Sequence, residues 1–261
     1  MSATARLLQQ RSVGEVKFHV DRHGVTQIRE SGASKVRLPR GSHEAILINT
    51  GGGIAGGDSF SIDIDVGHDT RLTITSQAAE RVYRTLGPSA SIAAKMKVGA
   101  GATLHWLPHE TIFYDGAALR RDYVVDLDAG SKFLAVEPLV FGRDQMGEAI
   151  TNIRLKDTWR IRRGGDLAHA DVLTLGPGLP SSKATLAGAA ALATIVYVYE
   201  DAELLLPAVR DQLYPGSGAS AWNGKLIARL LAQDGFLLLK QIISVLHALS
   251  GPEALPKLWT F

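Results

Sequence analysis

The most informative hydrophobic pattern in the chain surrounds a glycine segment, residues 51–57, in which five of seven positions are glycine. An apolar run, Ile46 to Ile48, precedes this segment. After Asp58, apolar residues from Phe60 to Val66 alternate with polar ones, which is the period-2 pattern of a half-buried β-strand. The glycines therefore join two predicted strands. Such a density of glycine indicates positive-φ backbone, or a second segment that approaches too closely for a Cβ atom.

A second pattern repeats along the middle of the chain: one apolar residue precedes another by six positions, across a polar turn that contains glycine. The pairs are Val66/Leu72, Val98/Leu104, Leu127/Phe133 and Ile161/Leu167. Their second members lie 32, 29 and 34 positions apart (72 to 104, 104 to 133, 133 to 167). This spacing favours a stack of β units, each burying its face on the next. The alternative is a series of β-hairpins in a sandwich.

The last third of the chain changes character. Residues 194–199 predict a fully buried strand, and Asp201 is a candidate N-cap for a helix to about Leu213, although Pro207 lies inside it. Residues 221–231 fit a strand or a helix equally well. A second helix is predicted from Asp234-Gly235 to Leu249, ending at Gly251-Pro252. Because it is apolar on most of its circumference, we expect its own domain or a partner to cover it.

Taken together, these patterns predict one mainly β domain over residues 1–261, with a β-rich part at 15–200 and a helix-containing part at 201–261. The net charge of +2 does not favour binding to nucleic acid or to a membrane surface. The chain has no cysteine, which excludes disulfides and thiolate metal sites. Its N-terminal residues lack the apolar region of a signal peptide, and its apolar C-terminal run is shorter than the ~20 residues of a membrane span. We therefore expect a cytoplasmic protein.

The glycine segment also fits a nucleotide-binding fingerprint. Gly51, Gly53 and Gly56 satisfy G-x-G-x-x-G, which would make the chain a nucleotide-dependent oxidoreductase. That fingerprint requires a helix directly after the loop, whereas the alternation from Phe60 predicts a strand. The sequence contains neither an H-E-x-x-H motif nor a serine in a nucleophile elbow. We therefore predict that the chain is not an enzyme.

Four ordered segments resemble the urease accessory protein UreD (also called UreH) family. They are NTGGGIAGGD at 49–58, TSQAAERVYR at 75–84, FGRDQMGE at 141–148 and the ending LPKLW at 255–259. The segment LHWLPHETIFYDGAALR at 104–120 is similar to a further stretch of that family. The resemblance covers the chain from about Gly32 to Trp259.

The resemblance implies a non-enzymatic urease maturation factor with a β-helix-like stack of strands and two α-helices in the C-terminal third. Such a chaperone acts with a UreF-like accessory protein and a UreG-like GTPase on the urease apoprotein. It takes part in nickel insertion, with nickel crossing the UreD subunit along an internal passage, and it needs no organic cofactor.

A nickel passage needs ligands that release the metal, such as carboxylates, imidazoles and water. Four acidic residues lie in the matching segments or at comparable points of successive repeats, and we predict them as a nickel path: Asp58, Glu110, Glu137 and Glu148. For any one of them, a salt bridge or a turn cap is the competing interpretation. A β-rich binding module without a metal role is the remaining alternative for the whole chain.

Overall fold

The computed structural model describes residues 11–142, 150–177, 179, 182, 185–251 and 255–259. It is mainly β, as the sequence patterns predict, with two α-helices in the C-terminal part. The strands are β1 (Val13–Asp21), β2 (Gly24–Gly32), β3 (Ser34–Arg37), β4 (Glu44–Asn49), β5 (Ser59–Val66), β6 (Arg71–Ser76), β7 (Glu80–Val82), β8 (Ala90–Val98), β9 (Thr103–Trp106), β10 (Thr111–Phe113), β11 (Ala117–Leu127), β12 (Lys132–Phe141), β13 (Ile153–Arg163), β14 (Asp166–Leu175), β15 (Ala191–Val198), β16 (Gly218–Trp222) and β17 (Lys225–Ala232). The helices are α1 (Ala202–Arg210) and α2 (Gly235–Ser250), and a 3₁₀ turn spans Lys257–Trp259.

The strands form two sheets that the chain visits alternately. The first sheet has the order β14-β13-β11-β8-β5-β1-β2, and the second has the order β16-β17-β15-β12-β9-β6-β4-β3. From β5 to β12, neighbouring strands within each sheet are parallel, because every crossing to the other sheet adds a strand beside the previous one. The short strands β7 and β10 pair in parallel with each other, and β10 also pairs in parallel with β12, so they form a branch of the second sheet. This arrangement confirms the stack over the hairpin sandwich.

The six-residue apolar repeat matches the strand register of this stack. The first members of the first three pairs are register partners in the first sheet, and the second members are register partners in the second sheet. Val66 pairs with Val98, and Val98 pairs with Leu127, in successive strands of the first sheet. In the second sheet Leu104 is the register partner of both Leu72 and Phe133. All of these side chains are buried in the core between the sheets. Residues 67–70, 99–102 and 128–131 make equivalent crossings, so each turn of the chain buries apolar side chains on its predecessor.

The fourth predicted repeat is wrong. Leu167 lies on β14, which folds back antiparallel to β13 within the first sheet, and its side chain is 60% exposed. The connection consists of Gly164 and Gly165 alone, with φ angles of 59° and 91°. A two-residue loop with both φ values positive closes a tight hairpin and is too short to cross to the other sheet.

The C-terminal part completes the second sheet and covers its outer face. Residues 221–231, ambiguous in sequence, form most of the β16–β17 hairpin, whose turn residues Asn223 and Gly224 have φ angles of 53° and 66°. The predicted buried strand is β15, in which all eight residues are buried. The second predicted helix is α2, and the Asp234 carboxylate accepts a hydrogen bond from the Leu237 amide at its N-terminus (2.7 Å).

Both predicted helices pack on the second sheet with their apolar sides. The buried face of α2 includes Leu238, Ile242 and Val245, which belong to one core cluster with side chains of β12, β15 and β17. The chain itself therefore covers most of this helix, although Phe236 remains 65% exposed. None of the helices in the described ranges has the length and apolarity that crossing a membrane demands.

Candidate functional site

The glycine segment packs so closely on residues 81–88 that side chains at Gly53 and Gly56 would not fit. A Cβ atom on Gly53 would lie 2.4 Å from the Tyr83 ring, and one on Gly56 would lie 2.0 Å from Thr85 Oγ1. The next element is strand β5, which begins at Ser59, and not a helix. The nucleotide-binding interpretation is therefore wrong, because there is no helix N-terminus behind the loop to hold a pyrophosphate. Close packing on residues 81–88 explains Gly53 and Gly56, and Gly52 has a positive φ angle.

Asp58 closes the glycine segment. Its side chain is buried, Oδ1 accepts a hydrogen bond from the Ser12 amide, and Oδ2 accepts one from the Ala55 amide, each at 2.8 Å. The carboxylate thus ties the loop to the first strand. It is not among the described residues that line the cavity below.

A cavity of about 240 Å³ lies between the two sheets beside the glycine segment. Its outer part is lined by the backbone of Gly52 and Gly53 and by polar side chains that include Asn49, Glu80 and His109. Its inner end is formed by Arg121, Tyr123 and Glu137. A cavity of this size holds several water molecules, and these polar side chains supply hydrogen-bond partners for them within a lining that is otherwise mostly apolar.

Glu137, one of the predicted metal residues, is the carboxylate at the inner end. It lies on β12, and its side chain is 4% exposed. One oxygen meets Arg121 Nη1 at 2.6 Å, and the other accepts a hydrogen bond from Trp106 Nε1 at 2.9 Å. The Tyr123 hydroxyl donates to the same carboxylate. Burial raises the pKa of Glu137 above its ordinary value, and the neighbouring Arg121 opposes that rise.

Arg121 connects Glu137 to a second buried carboxylate, that of Asp157. Arg121 and Asp157 are register partners on the parallel strands β11 and β13, and Arg121 Nη2 donates to Asp157 Oδ2. Arg121 Nη1 also donates to Thr111 Oγ1 at 3.2 Å. Burial disfavours the arginine charge, yet Asp157 and Glu137 together raise its pKa above the ordinary value. With both carboxylates ionised, the three side chains carry one net negative charge.

Glu80 and His109 contribute polar groups to the outer part of the cavity. The Glu80 carboxylate accepts a hydrogen bond from Asn49 Nδ2 at 2.9 Å, and burial raises the pKa of Glu80. His109 is half-buried and stacks on Trp259 with ring centroids 5.6 Å apart. Burial lowers the pKa of His109, while the adjacent Glu110 opposes that shift. The outer part therefore includes a carboxylate, an amide and an imidazole.

The structure does not bring together the three predicted carboxylates that it describes, Asp58, Glu110 and Glu137. Glu110 lines a separate small void beside α2 and Pro138, and its backbone carbonyl accepts the Glu80 amide at 2.9 Å. Glu148 lies outside the described residues. Within the described part of the chain, no group of three or more histidine, aspartate and glutamate side chains is arranged to hold a metal. Of the predicted residues the structure describes, Glu137 alone lies on the cavity.

A line of polar residues continues from Glu137 across the second sheet. Glu137 pairs with Thr194 on β15, and Thr194 pairs with Arg229 on β17. Arg229 bonds both Thr194 and Asp171, and Asp171 belongs to the edge strand β14 of the first sheet. Arg229 therefore links β15 of the second sheet to the edge strand β14 of the first sheet through Thr194 and Asp171.

Sequence reasoning missed Arg121 and Asp157, although a signal for each exists. Arg120 and Arg121 are consecutive on one strand, so only one of them can face solvent. Asp157 falls on the apolar side of the alternation formed by Ile153, Leu155, Trp159 and Ile161. Each of these two charges thus interrupts an inward-facing apolar stripe, which marks a buried partner.

The fold and site define a class of protein: a stacked β scaffold with a cavity between its sheets and a buried charge cluster at the inner end of that cavity. A family model described as UreD urease accessory protein matches residues 11–260. Proteins named Urease accessory protein UreD are similar over most of their length. The one from Rhizobium johnstonii is 47% identical over 247 residues, 90% of each chain. The Xanthobacter autotrophicus protein is 44% identical over 270 residues, 99% of this chain and 93% of the relative. The Agrobacterium fabrum protein is 42% identical over 244 residues, 91% and 86% of the two chains.

This chain belongs to the UreD family of urease accessory proteins. The resemblance found in the glycine segment and the other motifs is thereby confirmed.

Proposed function

We propose that this chain is a non-catalytic urease maturation factor of the cytoplasm. It acts as a scaffold in a complex with a UreF-like protein and a UreG-like GTPase, and it passes nickel to the active site of the urease apoprotein. The family membership supports the role in urease maturation. The observation that carries the nickel role is the carboxylate of Glu137 at the inner end of the cavity between the two sheets of this scaffold.

The chemistry of the cavity suits a cargo that must leave again. Ni²⁺ accepts carboxylate, imidazole and water ligands, all of which the cavity wall can supply through Glu80, His109 and Glu137. No three such side chains of the described residues are grouped to hold a metal, so each of these three would contribute a single ligand, and water would complete the coordination. Few protein ligands per position mean weak binding, which favours transit over storage.

The test is urease maturation with Glu137→Gln in cells that co-express the urease subunits and the accessory proteins. Glutamine keeps the size of the side chain and removes the anionic ligand. We expect the nickel content of purified urease, measured by elemental analysis, to fall severalfold, while size-exclusion chromatography still shows assembly with the UreF-like partner. Asp63→Asn is the matched control, because Asp63 is a half-exposed carboxylate on the outer side of the stack.

Unchanged nickel loading with Glu137→Gln in an intact complex would leave a β-rich binding module without a metal role as the better description. If the parent chain does not associate with a UreF-like protein at micromolar concentration, the proposed complex is contradicted. The two outcomes are separate, because the first concerns the cavity and the second concerns the surface of the chain.

A further inference from the structure

The centre of the buried charge cluster is one cation held between two anions. The Arg121 guanidinium contacts Glu137 from β12 on one side and Asp157 from β13 on the other, so it bridges the two sheets. The three side chains are at most 5% exposed. Two carboxylates from facing sheets, with a positive charge between them, are the surroundings that a buried divalent cation would also require.

Hydrogen bonding within the cluster is incomplete. Asp157 Oδ1 and Arg121 Nε are buried and have no hydrogen-bond partner. Buried polar atoms without partners are rare, because each loses its hydrogen bonds to water without a replacement. The free oxygen of Asp157 is an acceptor that Arg121 leaves without a partner. Arg121 therefore satisfies the Asp157 carboxylate only in part, and a divalent cation held between Asp157 and Glu137 would satisfy it better.

We propose that Arg121 is a tethered cation that occupies the position of a divalent metal between Glu137 and Asp157, and that its displacement opens a two-carboxylate metal site. The inference rests on the proposed nickel passage and adds a competitor for the metal to it. While Arg121 is in place, an arriving cation meets a site already neutralised in large part, so it binds weakly. Asp157 becomes the second protein ligand when Arg121 moves aside.

Competition between Arg121 and the metal explains how two buried carboxylates can bind Ni²⁺ weakly enough to release it. Without Arg121, Glu137 and Asp157 would repel each other in a poorly solvated space, and a divalent cation would relieve that repulsion. With Arg121 in place, its guanidinium already relieves the repulsion between the two carboxylates. A metal that binds there then gains only the additional attraction that its higher charge provides. The arginine cannot lose its proton, so its own positive charge does not change with pH.

The test measures the binding of NiCl₂ to the purified full-length chain by titration calorimetry, for the parent chain and for Arg121→Met. Methionine fills most of the arginine volume and removes the charge. We expect Arg121→Met to bind Ni²⁺ about tenfold more tightly, or better, than the parent chain. Arg121→Lys, which keeps a cation in place, should stay within about threefold of the parent. The double variant Arg121→Met with Asp157→Asn should lose the gain, because only one carboxylate remains.

An Arg121→Met chain that is folded and binds Ni²⁺ no more tightly than the parent overturns the proposal. If this variant does not fold without metal, thermal unfolding after refolding in excess NiCl₂ provides the second measurement. Recovery of a native transition supports the site, and no recovery contradicts it. The result is independent of urease: normal nickel loading with Glu137→Gln would remove the passage and leave this binding comparison standing.

Discussion

Arg121 on β11 and Asp157 on β13 are register partners on neighbouring parallel strands, and their side chains form an ion pair inside the stack. The parallel register sets their separation, since inward-facing side chains at the same level of adjacent strands lie side by side. Glu137 reaches the same guanidinium from the opposite sheet. One arginine thus links three strands of two sheets, so a substitution at this site also changes the free energy of unfolding of the chain.

Removing this arginine should destabilise the chain far more than removing its neighbour. Arg121→Ala leaves two buried carboxylates without a counter-ion, and we expect a loss of about 3–5 kcal/mol in the free energy of unfolding. Arg120→Ala is the matched control, because Arg120 is largely exposed and pairs with Asp122 on the surface. Urea denaturation of the two variants measures the difference. Equal midpoints for both would show that the buried pair contributes nothing.

The glycine segment should not accept a methyl group at its crossing. A Cβ atom on Gly56 would lie 2.0 Å from Thr85 Oγ1 and 2.7 Å from the Pro88 carbonyl oxygen. We expect Gly56→Ala to cost at least about 1–3 kcal/mol, because backbone must shift to make space. Gly176→Ala provides the comparison, since nothing lies within 4 Å of that added Cβ. A Gly56→Ala chain as stable as the parent in thermal unfolding would contradict the close-approach explanation.

Burial of His109 should make the fold sensitive to acid. Its pKa is lowered in the folded chain, so the unfolded chain takes up a proton first as the pH falls below 6.5. The stability that neutral His109 contributes is present above pH 6.5 and is lost as the pH falls through the lowered pKa. We therefore expect the urea midpoint of His109→Asn to fall less than that of the parent between about pH 7.5 and pH 5.

The same comparison with His23→Asn, at an exposed turn, is the control for this acid effect. Glu80 and Glu137 have raised pKa values, and their contribution runs in the opposite direction, since it is lost as the pH rises. Subtracting the parent curve at each pH isolates His109 from them. Parallel curves for the parent and His109→Asn would exclude a role for its ionisation.

The C-terminal tryptophan should anchor the end of the chain to the stack. Trp259 is 1% exposed, and its Nε1 donates to Thr75 Oγ1 at 3.2 Å. We expect Trp259→Ala to cost about 3–5 kcal/mol in the free energy of unfolding. Leu258→Ala is the matched control, because Leu258 is 41% exposed in the same turn. A similar small loss for both would show that this turn does not contribute to the stability of the stack.

Much of the architecture follows from local signals. The alternation from Phe60 to Val66 and the recurrence of Val66, Val98 and Leu127 are consequences of side-chain period and turn length, which are visible in the sequence. The capping aspartate and terminal glycine of α2 act within a few residues of the helix ends. The Leu167 repeat failed because its spacing matched the other repeats, whereas the glycine pair 164–165 determined a hairpin. Asn223-Gly224 carried the same hairpin signal and resolves the ambiguous segment.

The sequence by itself determined the strands, the stacking period, the glycine crossing and the family. It also placed Glu137 among the carboxylates of interest. Only the tertiary structure decided that Glu137 meets Arg121 and Asp157, that Asp58 binds backbone amides, and that Glu110 lines a different void. The reason is physical: period and turn chemistry act over a few residues, whereas the pairing of charges depends on which strands become neighbours across 16 to 36 positions, the separations of Arg121 from Glu137 and Asp157.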